Sequence, residues 1–331
     1  MCPDLTARAD DRIAIVGAGH VGATAAYALM LRALFREIVL IDTNRALAEA
    51  ESADIADANA LARPTRVWSG DYADAASAAI AVITAGGLTH GSQNRLSVAT
   101  ESAAIVSDCV DRLMAAGFHG VIVVSSNPVD LMTLVAARRS GLAPRQVIGT
   151  GTLLDTSRLK QTLSEALKVS PSSVETFVLG EHGDSEVAAF STARIGGQTL
   201  GQFRAGSNAL DQTAIARQVR VAGYEIVKGK GYTSWGVATA IVRICEAIIR
   251  DERAVLPVST LLTGQYGLSD VCLSLPCVLG ADGVERILAP DLDPDETAAL
   301  VASAEILRTA FATLSTDTVR LTRPSCSQAP D

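Results

Sequence analysis

The sequence predicts an α/β protein in which a doubly wound, parallel sheet is followed by a mixed α+β lobe. Over the first half of the chain, short apolar runs alternate with segments of helical periodicity. These runs are continuously apolar, which is typical of parallel strands that helices cover on both faces. Beyond about residue 150 the pattern changes to short apolar segments separated by glycine-rich turns. The change favours a second lobe of different architecture, packed against the first.

The first half contains four predicted strands and two clearly periodic helical segments. The strands are residues 12–16, 38–41, 79–84 and 121–125, and the helices are residues 20–35 and 44–60. Because strand and helix alternate, the strands are expected to pair in parallel within one open sheet.

The second half is predicted to combine short strands, longer helices and two further strands. Short strands are expected within 174–205, helices at 208–228 and 233–250, and strands at 256–262 and 270–279. A last helix is predicted to start at Asp293, because an aspartate N-cap followed by Pro294 is a strong start signal. Both chain ends, 1–11 and 316–331, are expected to be frayed.

The composition excludes several classes of protein. The chain has 331 residues and a net charge of −8, without the basic patch that nucleic acid or an anionic membrane would require. No apolar run approaches the ~20 residues needed to cross a bilayer, and the N-terminus has no signal-peptide pattern. The six cysteines are scattered without metal-site spacing, which indicates free thiols, no metal and a cytoplasmic location. The mean hydropathy of +0.27 is high enough to suggest a subunit interface as well as a core.

A GxGxxG turn stands between the first predicted strand and the first predicted helix. Gly17 permits the tight turn, Gly19 lets a pyrophosphate approach the backbone, and Gly22 allows close packing of helix on strand. Asp42 ends the second strand, where a carboxylate accepts both ribose hydroxyls and repels a 2′-phosphate. This context predicts a Rossmann domain that binds NAD rather than NADP. The alternative is that Asp42 only caps the following helix.

A second group of residues has the chemistry of an acid–base site. His182 lies on the polar turn 180–185, and Asp155 and Arg158 share one face of a predicted helix. As an imidazolium, His182 can donate a proton to a carbonyl oxygen, with a carboxylate such as Asp155 orienting its ring. Arg158 can hold a substrate carboxylate through two parallel hydrogen bonds. These groups suit the reduction of a 2-oxo acid. The alternative is that Asp155 and Arg158 form a solvated ion pair.

Five stretches, in their usual order, resemble the L-lactate and malate dehydrogenase superfamily. They are GAGHVG at 17–22, SNPVD at 126–130, GTGTLLDTSRLK at 149–160, GEHGDS at 180–185 and KGYTSW at 230–235. Residues 257–280 are similar to the L-lactate dehydrogenase branch in particular. The resemblance covers roughly residues 12–315 and implies a reversible hydride transfer between NAD(H) and a small L-2-hydroxy acid.

The resemblance implies roles for individual residues in the reaction. His182 would be the acid–base, Asp155 its partner, and Arg158 the group that binds the substrate carboxylate. Arg95 would polarise the substrate carbonyl from a lid at about residues 86–95, which is glycine-rich at both ends as a hinged loop should be. Closure of this lid would exclude water from the site.

The resemblance also implies the remaining contacts of cofactor and substrate. Asn127 would contact both the nicotinamide and the substrate oxygen, and Thr233 would line the substrate pocket. The residues implied to bind NAD are Gly17, Gly19, Gly22, Asp42, Thr84, Gly86 and Asn127. Residues 1–150 would form the NAD-binding domain and residues 151–331 the substrate-binding and catalytic domain. A homo-oligomer, either a tetramer or a dimer, is expected by the same resemblance.

The lid departs from the pattern of the superfamily at one position. Thr89 aligns where lactate enzymes usually carry glutamine and malate enzymes arginine. Without arginine a second substrate carboxylate lacks its partner, so malate is disfavoured. Threonine is shorter than glutamine, which leaves room for a larger or polar 2-oxo acid. A slip of one residue in the alignment would place Leu88 or His90 at this position instead.

Three other functions remain as alternatives at this point. Malate dehydrogenase is the weaker enzyme alternative. NAD-dependent glycosidases share the general fold and use a metal, but they need a cysteine where Ser126 stands. A non-catalytic NAD-binding protein is the alternative of a different class. The intact set of His182, Asp155, Arg158 and Arg95 argues against it, and an NADH turnover assay separates the two.

Overall fold

The computed structural model describes residues 11–62, 64–87, 95–204 and 210–314. The predicted frayed ends lie almost entirely outside these residues. Within them, no helix is both long and apolar enough to cross a membrane.

Strands and helices alternate through the first half, and the second half mixes short strands, long helices and long strands. The strands are β1 (Arg12–Val16), β2 (Glu37–Ile41), β3 (Arg66–Ser69), β4 (Ile80–Ile83), β5 (Val121–Val124), β6 (Val147–Gly149), β7 (Val174–Glu175), β8 (Val178–Leu179), β9 (Val187–Ala188), β10 (Arg194–Ile195), β11 (Gln198–Thr199), β12 (Ala254–Thr263), β13 (Ser269–Gly280) and β14 (Gly283–Ile287). The helices are α1 (His20–Arg32), α2 (Arg45–Asn59), α3 (Tyr72–Ala75), α4 (Arg95–Ala115), α5 (Val129–Ser140), α6 (Leu153–Leu167), α7 (Leu200–Phe203), α8 (Gln212–Lys230), α9 (Trp235–Ile249) and α10 (Pro294–Ala312).

The predicted parallel sheet is confirmed and has the order β3-β2-β1-β4-β5-β6. The strand order reverses between β1 and β4, which are direct neighbours. The chain therefore leaves these two strands in opposite directions and opens a crevice at their carboxyl ends. In sheets of this type, ligands bind in that crevice.

The second half extends the same sheet with three antiparallel strands. β12 joins β6 through the pair Ser259 and Gly149, and β13 and β14 follow outward. The two predicted strands of this region are thus the arms of a long hairpin. The sequence did not predict their attachment to the first sheet, because strand patterns do not specify a distant pairing partner.

Buried side chains form large clusters on both faces of the main sheet. One face packs against α4, α5 and α10, and the other against α1, α2 and α9. A third, smaller cluster lies between α6, α8 and the short strands of the second half. Helices from both halves therefore share the main clusters, which fixes the two sets of predicted site residues relative to each other.

Local signals set most of the element boundaries. The predicted start of the last helix is confirmed, because the Asp293 carboxylate accepts a hydrogen bond from the Glu296 N–H at 2.8 Å. The first helix ends at Arg32, three residues before the predicted end, because Ala33 adopts a left-handed conformation with φ of 51°. The edge strand β3 was not predicted, since it is only four residues long and has no fully buried side chain.

Candidate active site

The glycine turn after β1 has the geometry that a dinucleotide requires. Gly17 has a φ of +109°, and a Cβ there would lie 2.7 Å from both Ala85 N and Thr84 Oγ1. A Cβ on Gly22 would lie 1.8 Å from the Gly17 carbonyl oxygen. A Cβ on Gly19, in contrast, would meet nothing within 4 Å. Two of the glycines are therefore needed for packing, whereas the third leaves open space in front of α1.

The amino end of α1 faces this open space without a capping side chain. Gly19 occupies the N-cap position, and no side chain accepts hydrogen bonds from the first N–H groups of the helix there. Free N–H groups and the positive end of the helix dipole suit a phosphate. The turn and the helix end therefore fit the pyrophosphate of NAD.

Asp42 lies beside the glycine turn and is fixed by two backbone groups. Its carboxylate oxygens accept hydrogen bonds from Ala18 N at 2.7 Å and Asn44 N at 2.8 Å. The cap of α2 is Asn44, whose side chain accepts from Leu47 N. The alternative that Asp42 only caps this helix is therefore wrong. Each carboxylate oxygen keeps a lone pair with which it can bind a ribose hydroxyl.

The other residues expected to bind the cofactor lie at the same edge of the sheet. Thr84 Oγ1 donates to the Gly17 carbonyl at 2.8 Å, so this side chain holds the glycine turn. Gly86 has room for a Cβ, which would meet Ser126 Cβ at an ordinary 3.5 Å. Asn127 is exposed after β5, next to the end of β4. It therefore lies at the carboxyl end of the sheet, where a ligand in the crevice would bind.

His182, Asp155 and Arg158 form one hydrogen-bonded group. The Asp155 carboxylate bonds His182 Nδ1 through Oδ2 at 2.5 Å and accepts from Arg158 Nη1 through Oδ1 at 2.8 Å. The side chain of Asp155 is only 2% exposed. The alternative of a solvated ion pair is therefore wrong. One buried carboxylate joins a histidine to a guanidinium, and both partners are more exposed than it is.

Neighbouring elements fix the backbone around this group. Asp155 lies in the first turn of α6, where the helix dipole favours a negative charge. The His182 N–H donates to Asp130 Oδ2 at 2.7 Å, and Gly180 is paired with Ser274 of β13. The histidine is thus held from α5 through its backbone and from α6 through its ring.

Buried charges set the protonation of the group. Burial opposes the charged form of His182, but the charge and hydrogen bond of Asp155, helped by Asp130 and Glu186, raise its pKa to about 9. Burial also opposes the charged form of Asp155 and would raise its pKa, but the charges and hydrogen bonds of His182 and Arg158 outweigh burial and lower that pKa. The structure therefore favours an imidazolium and carboxylate pair at neutral pH.

Two further buried carboxyls adjoin the pair, and the sequence did not identify them as site residues. Burial is the main cause that raises the pKa of Asp130 to about 6 and that of Glu186 to about 8. Asp130 stood within the recognised SNPVD motif at 126–130, which was the available signal. Glu186 follows His182 by four residues and had no signal of its own.

Helix α8 forms a wall beside the proposed carboxylate clamp. A Cβ on Gly223 would lie 3.7 Å from Arg158 Nη2, so this helix passes directly over the guanidinium. Tyr224 donates to Asp184 Oδ1 at 3.0 Å, which ties α8 to the turn of His182. Thr233 is half-buried in the link between α8 and α9. Helix α8 therefore borders the Arg158 guanidinium, and the link with Thr233 follows the carboxyl end of that helix.

Two of the expected site residues have side chains outside the part of the chain that the structure describes. Thr89, with residues 88–94 of the expected lid, lies outside the described residues. Arg95 is the first residue of α4, and its side chain is likewise outside the described part. Their roles stay predictions from the sequence.

A doubly wound sheet whose glycine turn fits a dinucleotide, next to a buried histidine–aspartate–arginine group, defines the class of NAD-dependent dehydrogenases. Residues 11–149 match the lactate/malate dehydrogenase NAD binding domain, and residues 152–316 match the lactate/malate dehydrogenase alpha/beta C-terminal domain. The chain therefore belongs to the lactate/malate dehydrogenase family. It is an NAD-dependent oxidoreductase of the lactate branch.

Individual relatives cover nearly the whole chain. It is 44% identical to L-lactate dehydrogenase 1 of Bifidobacterium longum over 303 residues, which are 90% of this chain and 96% of the relative. It is 42% identical to the L-lactate dehydrogenase of Thermus aquaticus over 307 residues, 92% of this chain and 99% of the relative. The ligand-bound crystal structure of the minor L-lactate dehydrogenase from Enterococcus mundtii superposes with a TM-score of 0.90 at 38% identity, covering 93% and 99% of the two chains.

Proposed function

We propose that this chain transfers a hydride reversibly between NAD(H) and a small L-2-hydroxy acid, with lactate and pyruvate as the first pair to test. The observation that carries the proposal is the buried Asp155 carboxylate, which holds His182 and Arg158 side by side. An acid–base group beside a carboxylate clamp suits a substrate whose carbonyl adjoins its carboxylate. We assign NAD binding to residues 1–150 and most substrate and catalytic groups to residues 151–331.

The proposed mechanism divides the reaction between proton and hydride. Arg158 uses one N–H for Asp155, and its remaining donors can bind the substrate carboxylate in parallel. His182 Nδ1 is bonded to Asp155, so its Nε2 carries the proton that moves to the substrate oxygen during reduction. NAD supplies or accepts the hydride when it is bound. Asp155 stabilises the imidazolium and orients the ring throughout.

Four further residues complete the proposed site. Asn127 would orient the substrate oxygen, and Thr233 would limit the space for the substrate side chain. Arg95, brought in by a closing lid, would polarise the carbonyl and Thr89 would contact the tail of the substrate. This arrangement makes the lid the main determinant of which acid is preferred.

The proposal is tested by following NADH oxidation with pyruvate, oxaloacetate, 2-oxoisocaproate, phenylpyruvate and an acid with a second anionic tail. The highest kcat/KM with pyruvate would identify a lactate dehydrogenase that tolerates threonine at position 89. If the kcat/KM of a larger acid exceeds that of pyruvate by tenfold, or ~1.4 kcal/mol, the lid selects that larger acid and not pyruvate. Turnover of none of these acids would contradict the proposal and favour a non-catalytic NAD-binding role.

The two directions of the reaction are expected to have opposite pH dependence. Reduction requires protonated His182, so its kcat/KM should persist below pH 9 and fall as the pH rises through about 9. Oxidation requires neutral imidazole and should rise over the same range. The raised pKa of His182 also stabilises the folded state. This stabilisation is fully present below about pH 6.5 and is lost as the pH rises through about 9.

Profiles of kcat/KM against pH in both directions measure this dependence. An Asp155→Asn variant should move both midpoints down by about 2 pH units, because the charge that sustains the imidazolium is gone. Midpoints that stay in place in this variant would remove Asp155 from its proposed role.

Replacing Asp42 by asparagine is expected to reduce the preference for NADH over NADPH by at least tenfold, or ~1.4 kcal/mol. The amide removes the negative charge that repels a 2′-phosphate while its size is unchanged. The ratio of kcat/KM values with the two cofactors measures the preference, and Asp42→Glu, which keeps the charge, is the matched control. An unchanged ratio would mean that Asp42 only supports the backbone of Ala18 and Asn44.

We also propose a homo-oligomer, either a dimer or a tetramer, in the cytoplasm. Helix α8 and the start of α9 carry exposed apolar side chains that a second copy would cover. They are Val221, Tyr224, Ile226, Val227 and Trp235, the last of which is 66% exposed. All four cysteines among the described residues are buried free thiols, in keeping with a reducing compartment. Light scattering that gives the mass of one chain would contradict the oligomer.

A further inference from the structure

A ring stack connects the cofactor turn to the second half of the chain. His20 is the first residue of α1 and directly follows Gly19. Its imidazole stacks on the ring of Tyr232 with 3.9 Å between the centroids and 13° between the planes. His20 is exposed and Tyr232 is half-buried, so this contact lies at the surface end of the crevice. Neither residue has a part in the mechanism proposed above.

Tyr232 belongs to the short link that carries Thr233. Gly231, with a φ of +87°, ends α8, and α9 begins at Trp235. The Lys230 ammonium lies 4.3 Å from the Tyr232 ring centroid and 4.7 Å from that of Trp235. A cation near the π-system favours a fixed ring. The Tyr232 ring is therefore held by contacts from both α8 and α1, and Thr233 follows it directly.

The opposite end of α1 is also attached to α9. Arg32 donates to both carboxylate oxygens of Glu246 at 2.7 and 2.6 Å, and the Glu246 side chain is only 6% exposed. The two attachments are separated by the length of α1, about 18 Å for thirteen residues. Helices α1 and α9 also pack against each other, and of the two attachments the ring stack is the one next to the glycine turn and the Thr233 link.

We propose that the His20–Tyr232 stack is a positioning contact that sets the Thr233 link relative to the glycine turn, so that NADH binding and 2-oxo acid binding both depend on it. Its substrate half rests on the proposed function. Loss of either ring frees the link and the first turn of α1 to move independently. Each site must then be ordered again when its ligand binds, and this cost lowers the affinity for both ligands.

The test uses two ring deletions with matched ring-retaining controls. His20→Ala and Tyr232→Ala remove the stack, whereas His20→Phe and Tyr232→Phe keep a ring at each position. NADH fluorescence titration gives Kd without substrate, and steady-state kinetics at saturating NADH give KM and kcat for the preferred 2-oxo acid. Melting temperature and light scattering monitor fold and assembly. Because His20 is exposed, His20→Ala is expected to fold even if Tyr232→Ala does not.

Each ring deletion is expected to weaken binding of the ligand that the other half of the chain holds. Tyr232→Ala should raise the NADH Kd, and His20→Ala should raise the 2-oxo acid KM, both by roughly 3- to 10-fold with a smaller change in kcat. The ring-retaining variants should stay within about twofold of the parent. The double variant should be no worse than the more affected single variant, because both changes remove one contact.

Two outcomes would overturn the inference. One is a lower melting temperature with unchanged Kd and KM in both deletions, which would leave the stack a purely structural contact. The other is additivity of the two deletions, which would show independent roles. If the parent protein turns over none of the acids, the proposed function fails, but the NADH Kd values in the same variants still decide whether the stack positions the cofactor site.

Discussion

Replacement of His182 by asparagine is expected to lower kcat/KM for 2-oxo acid reduction about 1,000-fold, within the range that a positioned acid–base group contributes. Asparagine can still donate a hydrogen bond to Asp155, so the buried carboxylate keeps a partner and the site keeps its shape. It cannot deliver a proton to the substrate oxygen. Steady-state kinetics measure the loss, and NADH titration should give an unchanged Kd.

The chain offers a matched control for this prediction. His119 is an exposed histidine outside the active site, and its ring contacts the Gly117 carbonyl. The His119→Asn variant should therefore have the kinetics of the parent protein. A His182→Asn variant that keeps kcat/KM within tenfold of the parent would exclude His182 as the acid–base. The change of kcat/KM near pH 9, which both reaction directions share, should disappear in this variant because the titrating group is gone.

Replacement of Arg158 by lysine is expected to lower kcat/KM by about 100- to 1,000-fold, mainly through KM. Lysine preserves the positive charge beside Asp155, so the buried carboxylate remains paired. It lacks the planar fork that binds a carboxylate through two parallel hydrogen bonds. The Michaelis constant for the 2-oxo acid at saturating NADH measures the effect, and the dissociation constant for NADH should not change.

A control of the same local geometry separates substrate binding from ion pairing. The exposed Glu305 and the half-buried Arg308 form a pair three residues apart on α10, as Asp155 and Arg158 do in the buried site. Arg308→Lys should leave the kinetics unchanged, because this pair is far from the reacting groups in the proposed mechanism, and it should alter stability little, because solvent-accessible ion pairs contribute little. If Arg158→Lys lowers the melting temperature but leaves KM unchanged, Arg158 serves only as the partner of Asp155.

Short-range features of the sequence determined the succession of elements and much of the list of candidate residues. Apolar runs indicated the buried strands of the first half, and Asp293 with Pro294 indicated where α10 begins. The glycine turn was also recognisable in the sequence, because Gly17 adopts a φ of +109° and Gly22 packs on the carbonyl of Gly17, five residues earlier. These features depend on neighbouring residues and backbone conformation, so a linear pattern carries them.

Tertiary structure alone decided which distant groups meet. Asp155 on α6 reaches the ring of His182, and Asp130 on α5 reaches its backbone, only because the sheet brings these elements together. The attachment of β12 to β6 and the stack of His20 on Tyr232 have the same origin. Contacts of this kind depend on the burial of whole faces of helices and strands, and pKa values follow from that burial. The sequence by itself thus determined the chemistry that was available, and packing determined how it was assembled.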